Sequence, residues 1–231
     1  MAFYDLHVHT NFSIGEDSIE EMVEMAKRLG LGGLGIVRYW PYQEEVPERD
    51  DFDLVNSVMI KAATPEELNK MIDKARKKAE VIMVHGGDYD VNRAACENSM
   101  VDIVCHPELN RRDSGLDHIC VKAASDNNVA IEVNFREILE SYKTFRTRIL
   151  MLMRKNVQLC KKYGANVVTT SSPIRRWGLR SGRELASISH LLGLDLPKSI
   201  SSTSTIPENI VKRNREKLAN KRWEGVKVVE D

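Results

Sequence analysis

Seven short apolar runs alternate with helical segments along this chain of 231 residues, and that alternation limits the folds open to it. The runs are rich in Val, Ile and Leu and are bounded by polar residues or glycine, which is typical of buried strands. They span residues 3–7, 33–37, 57–62, 81–85, 101–106, 129–133 and 166–170. Strands separated by helices pair in parallel through right-handed crossovers. The pattern therefore predicts an α/β fold, a TIM-like (β/α) barrel, rather than an open sheet.

The segments between the runs carry signals for helix starts and ends. Ser18 with Glu21 three residues later forms a capping box for a helix over residues 18–29, and Thr64-Pro65 begins another that runs to residue 79. Further helices are predicted over residues 92–98, 115–127, 142–163 and 182–192. A terminal helix is predicted over residues 207–222, and the Ser/Thr run at 199–205 is interpreted as a loop. We expect one domain over residues 1–231.

The composition narrows the class of protein. Apolar residues make up 42% of the chain, enough for a substantial core, and the formal net charge is zero, so charge alone does not indicate a nucleic-acid ligand. The sequence has no apolar run long enough to span a bilayer and no signal-like segment before the first strand, which predicts a cytoplasmic protein. The four cysteines lack Cys-x-x-Cys spacing and are predicted to be reduced thiols: Cys96, Cys105, Cys120 and Cys160.

Two histidines, His7 and His9, lie at the end of the first predicted strand. Side chains alternate along a strand, so both point to the same face with their α-carbons roughly 6–7 Å apart. Imidazoles at that spacing can converge on one metal ion at the carboxyl end of the strand, where such barrels carry their active sites. His106 and Glu132 end later strands and are expected at the same edge. The competing interpretation is structural, with buried histidines and a hydrogen-bonded acid.

These motifs carry a resemblance. Asp5-Leu6-His7-Val8-His9-Thr10, the later His106-Pro107 and Ile131-Glu132-Val133-Asn134 resemble the polymerase and histidinol phosphatase (PHP) superfamily, whose members are distorted β/α barrels with a multinuclear metal site. The superfamily pattern has Asp-His after the second strand and Asp-x-His after the last. This chain has Val37-Arg38-Tyr39 and Ser171-Ser172-Pro173 there, so the resemblance implies that at least half of the ligands are missing. The resemblance therefore implies no complete metal site, and at most a relict one formed by His7, His9, His106 and Glu132.

One branch of the superfamily is matched more specifically, the archaeal ribonuclease P protein component 3 or thirty-kilodalton-subunit family. The similarity extends over nearly the whole chain and includes His85-Gly86-Gly87-Asp88, and Ser171-Ser172-Pro173 followed by Trp177, Leu179-Arg180-Ser181 and Arg183-Glu184-Leu185. The resemblance implies a subunit of ribonuclease P, the endoribonuclease that removes the 5′ leader of precursor tRNA. In that family the RNA subunit holds the catalytic Mg²⁺, so this chain alone is expected to be non-catalytic and to hold no cofactor. The implied partners are ribonuclease P RNA, precursor tRNA, the component 2 protein in a heterotetramer with two copies of each, and other ribonuclease P proteins.

The charges are strongly polarised along the chain. Residues 142–183 contain eleven basic residues and no acid, whereas residues 16–53 contain eleven acids and four bases. A basic stretch of this size can neutralise several phosphates, and an aromatic side chain between arginines suits stacking on unpaired bases. The predicted RNA-binding residues are Arg38, Arg111, Arg112, Arg154, Lys155, Arg175, Arg176, Trp177, Arg180 and Arg183. The competing interpretation is a solvated helix face followed by a loop, with the tryptophan in the core.

Two other functions are compatible with the sequence. A free-standing PHP-type phosphoesterase would use His7, His9, His106 and Glu132 as metal ligands that activate a water molecule. If the protein is an interaction scaffold without RNA contact, replacing the basic residues at 142–183 should not change its association with RNA. The acidic residues at 44–53 are interpreted as a solvated loop or as a docking site for a basic partner.

Overall fold

A parallel sheet of seven strands, nearly closed into a barrel, forms the centre of the protein. The structure is a computed structural model that describes residues 2–219 with their side chains and residues 222–223 and 226–227 by their backbone alone. The strands follow one another around the sheet in chain order: β1 Tyr4–Val8, β2 Gly33–Tyr39, β3 Asp53–Ile60, β4 Val81–His85, β5 Ile103–Cys105, β6 Ala130–Asn134 and β7 Val167–Thr170. Every neighbouring pair in this order is parallel. The seven predicted strands and the TIM-like fold are therefore confirmed.

Helices connect most of the strands and cover the outside of the sheet. They are α1 Ile19–Arg28, α2 Pro65–Ala75, α3 Tyr89–Glu97, α4 His118–Asp126, α5 Phe135–Glu140, α6 Lys143–Tyr163, α7 Gly182–Leu191, α8 Leu196–Ser201 and α9 Thr205–Leu218, with a 3₁₀ turn at Arg176–Gly178. The predicted capping box is present at α1, where Ser18 and Glu21 satisfy each other's backbone N–H groups. The short strands β8 Arg222–Trp223 and β9 Val226–Lys227 pair with each other in antiparallel orientation. No helix among the described residues combines the length and apolar character that a membrane span requires.

The core has two layers. Val37, Met59, Met83 and Ile103 pack inside the barrel, and a larger set packs between the sheet and the outer helices. The large set comes from the opposite faces of the same strands, because successive side chains of a strand alternate. All four cysteines are unpaired and buried, as predicted. Burial raises the pKa of the Cys96 and Cys105 thiols, which keeps them protonated and unreactive.

The Ser/Thr run at 199–205 is not a loop, which corrects the sequence interpretation. Its first residues end α8, and residues 202–204 fill the gap between β1 and β7. Tyr4 N donates to Thr203 O at 2.9 Å, and Thr169 N donates to Ser202 O at 3.1 Å. The Ser202 hydroxyl lies 2.9 Å from that of Thr169. These small polar side chains are fully buried because their hydroxyl groups bond to neighbouring backbone or hydroxyl oxygens.

Helix α9 closes the amino-terminal end of the barrel. Its Ile210 and Val211 join the interior core, and Asp102, the residue before β5, anchors it. The two carboxylate oxygens of Asp102 accept from four donors, which are Arg76 Nη1 (2.7 Å), Ile82 N (2.8 Å), Arg213 Nη2 (3.0 Å) and Asn214 Nδ2 (2.7 Å). The predicted terminal helix over 207–222 thus exists with different limits. It begins at residue 205 and ends at 218, residue 222 lies in β8, and residues 220–221 are outside the described residues.

Candidate nucleic-acid interface and histidine cluster

Four histidines lie together at the carboxyl ends of β1, β4 and β5. The rings of His7 and His106 are 5.3 Å apart between centroids, and so are those of His85 and His106. Nε2 of His7 lies 3.1 Å from Nε2 of His9, and Glu132 Oε1 accepts from His7 Nδ1 at 2.6 Å. The structure thus brings together the four residues grouped from the sequence and adds His85. We call His7, His9, His85 and His106 the histidine cluster.

One assignment of protons satisfies most of this cluster without any ligand. His7 donates from Nδ1 to Glu132, His9 donates from Nε2 to His7, and the Ser13 hydroxyl, 3.1 Å from His9 Nδ1, donates to that nitrogen. Glu132 Oε1 accepts a second hydrogen bond from the Thr170 hydroxyl at 2.6 Å. In this arrangement each ring nitrogen of His7 and His9 has a hydrogen-bond partner.

The pKa shifts of the site favour neutral His9 and His106 beside an ionised Glu132. Burial lowers the pKa of His9 to about 2 and that of His106 to about 3. Burial opposes ionisation of Glu132, but the adjacent His7 and His106 rings and the hydrogen bonds from His7 and Thr170 outweigh it and lower the pKa of that carboxyl. Asp5, which accepts from Ser171 N at 3.1 Å, has its pKa raised by burial to about 6.

The donors do not fit a multinuclear metal centre. A zinc ion holds nitrogen ligands at about 2.0–2.1 Å, so the facing Nε2 atoms of His7 and His9 suit one ion. Among the described residues, His7, Cys105 and Glu132 place potential ligand atoms for a metal ion within 4.8 Å of one another. There the His7 Nδ1 atom is already bonded to Glu132, and Cys105 is held as a thiol. No described side chain takes the place of the Asp-His and Asp-x-His ligands that the sequence lacks. We therefore assign no hydrolytic step to this cluster.

Arg136 is a charged residue at this site that sequence reasoning missed. It follows β6 by two residues, and its charge lowers the pKa values of His9, His106 and Tyr39. Arg136 forms no hydrogen bond or ion pair with a side chain that the structure describes. Its position just past a strand end was the available signal, since side chains there reach the mouth of the barrel.

Arg38 lies inside the protein, which corrects its assignment as an RNA-binding residue. It shares the outward face of β2 with Ile36, and its side chain is fully buried. The segment between β2 and β3 contains no helix and folds over it instead. The guanidinium donates to Asn56 Oδ1 and lies 3.7 Å from the centroid of the Tyr42 ring. A guanidinium in this position is not available to RNA.

Five of the predicted RNA-binding or basic residues form a group that we call the loop–helix cluster: Arg111, Arg112, Arg148, Arg154 and Lys155. The first two lie in the loop between β5 and α4, and the others lie on α6. Arg148 Nη2 donates to the Arg111 carbonyl at 2.8 Å, which joins the loop to the helix. Arg112, Arg154 and Lys155 are exposed and form no ion pair with a described residue.

The remaining predicted residues surround the 3₁₀ turn, in a group that we call the Trp177 segment: Arg175, Arg176, Trp177, Arg180 and Arg183. Trp177 is 68% exposed and therefore does not belong to the core. Arg175 pairs with Glu16 at 2.7 Å, and Arg176 pairs with Glu21 at 2.6 Å. The acidic and basic segments of the sequence thus meet at this surface and partly neutralise each other.

Apolar side chains are exposed beside the loop–helix cluster, and sequence reasoning did not single them out. Tyr142 is 71% exposed, Phe145 is 50% exposed and Met151 is 64% exposed, all at or within α6. Leu139 at the end of α5 is 47% exposed. Exposed apolar groups of this kind, bordered by charged residues, mark interaction surfaces.

Sequence comparisons identify one family. Residues 2–219 match the family described as RNase P subunit p30. The Ribonuclease P protein component 3 of Methanococcoides burtonii is 36% identical over 233 residues, which cover 99% of this chain and 95% of that protein. The protein of the same name from Methanothermobacter thermautotrophicus is 32% identical and covers 91% of this chain and 89% of its own length.

Comparison with solved structures agrees with the family found by the sequence comparisons. A chain in the cryo-EM structure of archaeal Ribonuclease P with mature tRNA has a TM-score of 0.78 and 26% identity, and covers 99% of this chain and 98% of its own length. Histidinol phosphate phosphatase from Lactococcus lactis, complexed with zinc, L-histidinol and phosphate, has a TM-score of 0.53 and 12% identity over 92% of this chain and 93% of its own. The second likeness concerns the fold alone.

Proposed function

Because the chain belongs to the RNase P subunit p30 family, we propose that it is a protein subunit of ribonuclease P, the ribonucleoprotein that removes the 5′ leader from precursor tRNA. The observation that carries this proposal is the whole-chain similarity to a chain of archaeal ribonuclease P, with a TM-score of 0.78 over 99% of the residues. The holoenzyme is an endoribonuclease, and this subunit contributes binding rather than bond cleavage. The hydrogen bonds that link His9, His7 and Glu132 and the missing Asp-His and Asp-x-His pairs support that division, because hydrolysis at such a site needs a metal-activated water molecule.

The proposed RNA-contacting surface consists of the loop–helix cluster and the Trp177 segment. Arg112, Arg154 and Lys155 are its strongest candidates, because they are exposed and form no ion pair with an acid among the described residues. Arg175 and Arg176 are weaker candidates, since each already pairs with a glutamate. Cations that neutralise phosphates reduce repulsion between RNA segments. RNA folding then requires less Mg²⁺, which we assign to the catalytic RNA and not to this chain.

Protein partners complete the proposal. We propose that the chain assembles with the component 2 protein, two copies of each, and contacts further ribonuclease P proteins in a cytoplasmic complex. The exposed apolar residues around the start of α6 support a protein contact, because Tyr142 and Phe145 would leave water on association. Four unpaired cysteines agree with a reducing compartment.

An omission experiment tests the proposed role. Ribonuclease P RNA and the other protein components are mixed with precursor tRNA at a series of magnesium concentrations, with and without this chain. The proposal predicts that adding the chain lowers the magnesium concentration at half-maximal cleavage. Equal cleavage curves with and without the chain, under conditions where the remaining components are active, would exclude the role.

A further inference from the structure

A cavity of about 240 Å³ lies between α1 and the 3₁₀ turn that carries Trp177. It is lined by Glu21, Glu24, Met25, Arg28, Arg176 and Trp177. The indole of Trp177 is 68% exposed, and Met25 supplies an apolar surface beside it. An exposed tryptophan that borders a cavity of this size offers a stacking platform for one planar ring.

The charged groups of this cavity balance one another. Arg176 Nη1 donates to Glu21 Oε1 at 2.6 Å, and Arg28 Nη2 donates to Glu24 one helical turn away. The two carboxylates and two guanidinium groups give the cavity no net charge. Attraction and repulsion therefore cancel for a backbone phosphate and also for a lysine or arginine of a partner protein, because each would meet two groups of either sign. A neutral group with hydrogen-bond donors and acceptors suits the lining better.

We propose that this cavity binds one unpaired RNA base, with guanine the best match, an inference that rests on the proposed role as an RNA-binding subunit. The base stacks on Trp177. Its N1–H and N2–H groups donate to the carboxylate of Glu24, and Arg28 donates to O6. The Glu24–Arg28 pair opens at little cost because both side chains are about two-thirds exposed, at 65% and 67%.

Guanine is preferred over the other bases because it presents two adjacent donors beside an acceptor. A carboxylate has two acceptor oxygens, and it matches such a pair of donors in a bidentate arrangement. Adenine has no ring N–H to offer, and uracil has one N–H between two carbonyl groups. Inosine is a sharp probe, since it differs from guanosine only by loss of the N2 amino group.

The test uses the fluorescence of Trp177 in the full-length chain. Trp40→Phe and Trp223→Phe leave Trp177 as the one tryptophan, and its quenching is followed during titration with uridine heptamers that carry a central guanosine, inosine, adenosine or uridine. We expect the guanosine heptamer to bind most tightly and the inosine heptamer to bind roughly fivefold more weakly, the usual effect of one lost hydrogen bond. Glu24→Gln removes the difference between guanosine and inosine, whereas Glu20→Gln, an exposed glutamate of the same helix that does not line the cavity, preserves it.

The outcomes separate this inference from the proposed function when binding of ribonuclease P RNA is measured on the same preparation. A chain that binds ribonuclease P RNA but quenches equally with all four heptamers overturns the base site alone. A chain that fails to bind ribonuclease P RNA overturns the proposed function. Quenching by N-acetyl-arginine amide in place of the oligonucleotides overturns the base site and assigns the cavity to a cationic side chain of a protein partner.

Discussion

Replacing three exposed basic residues of the loop–helix cluster should make RNA binding less dependent on salt concentration. The change is Arg112→Gln, Arg154→Gln and Lys155→Gln in one variant, which removes three cations that have no ion-pair partner among the described residues. Each cation that neutralises a phosphate adds about 0.7 to 0.9 to the slope of log K against log salt. The triple variant should therefore lose roughly 2 to 3 units of slope. Between roughly 50 and 200 mM salt, the wild type should lose about 20- to 40-fold more affinity than the variant.

The assay is filter binding of ribonuclease P RNA at several salt concentrations. A matched control removes the same number of charges elsewhere, by Lys70→Gln, Lys74→Gln and Lys77→Gln on and just after α2, where all three side chains are exposed. The control variant has the same net charge as the test variant. Its slope should equal that of the wild type, because only cations in contact with phosphates release counterions.

Equal slopes for the test variant and the wild type would refute the assignment of this cluster to RNA. Equal losses for the test and control variants would mean that RNA responds to net charge rather than to this surface. Either result would leave the exposed apolar residues of α6 and the Trp177 segment as the remaining contact candidates.

Four further outcomes follow from the buried groups. Asp102→Ala leaves Arg76 and Arg213 without their shared carboxylate and should lower the free energy of unfolding by about 3–5 kcal/mol in urea denaturation. A loss no larger than that of the exposed control Asp73→Ala would contradict the anchoring of α9 by Asp102. The folded-state pKa values of His9 and His106 are depressed, so the unfolded chain binds more protons below pH 6.5. Stability should consequently fall with decreasing pH by roughly 1 kcal/mol per pH unit for each histidine, and a His106→Gln variant should fall less steeply in urea titrations at pH 7, 6 and 5. Ser202→Ala removes hydroxyl bonds in the gap between β1 and β7 and should cost about 1–3 kcal/mol by the same measurement, whereas Ser187→Ala on the exposed face of α7 should not. Arg38→Met should leave affinity for ribonuclease P RNA unchanged, because the side chain is buried; a loss of RNA affinity in a folded variant would return Arg38 to the binding surface.

The strands were predictable because each is a continuous apolar run, and burial on both faces of a parallel sheet produces that pattern. The gap between β1 and β7 was not predictable. Residues 202–204 read as loop because serine and threonine are usually exposed, and only the neighbouring backbone groups of Tyr4 and Thr169 make their burial favourable. Local composition does not reveal partners so distant in the chain.

The candidate site was predictable in part for a similar reason. His7, His9, His106 and Glu132 lie at strand ends, and parallel strands bring those ends to one edge, so their meeting follows from the fold. Arg38 also lies near a strand end. Because side chains alternate along β2, it points to the outer face of the sheet, where the segment before β3 covers it. Arg136 was overlooked because it follows β6 within the unpredicted helix α5.

Charge counts along the sequence misjudged the surface around the 3₁₀ turn. The acidic residues at 16–53 and the basic residues at 142–183 were treated as separate, yet Glu16 and Glu21 pair with Arg175 and Arg176. The two segments are about 160 positions apart, as the ion pair between residues 16 and 175 illustrates. A linear count cannot register that neutralisation, and it therefore overstates the positive potential of the Trp177 segment.

The central claim is that this chain assists ribonuclease P without cleaving RNA itself, and one measurement tests it most directly. Precursor-tRNA cleavage at limiting magnesium is compared for the chain alone, for the reconstituted holoenzyme, and for the holoenzyme with a His7→Gln/His9→Gln variant whose fold is checked by circular dichroism. The account predicts no cleavage by the chain alone and equal stimulation by wild type and variant. Cleavage by the chain alone that the double substitution abolishes would contradict it and would make the protein a metal-dependent phosphoesterase.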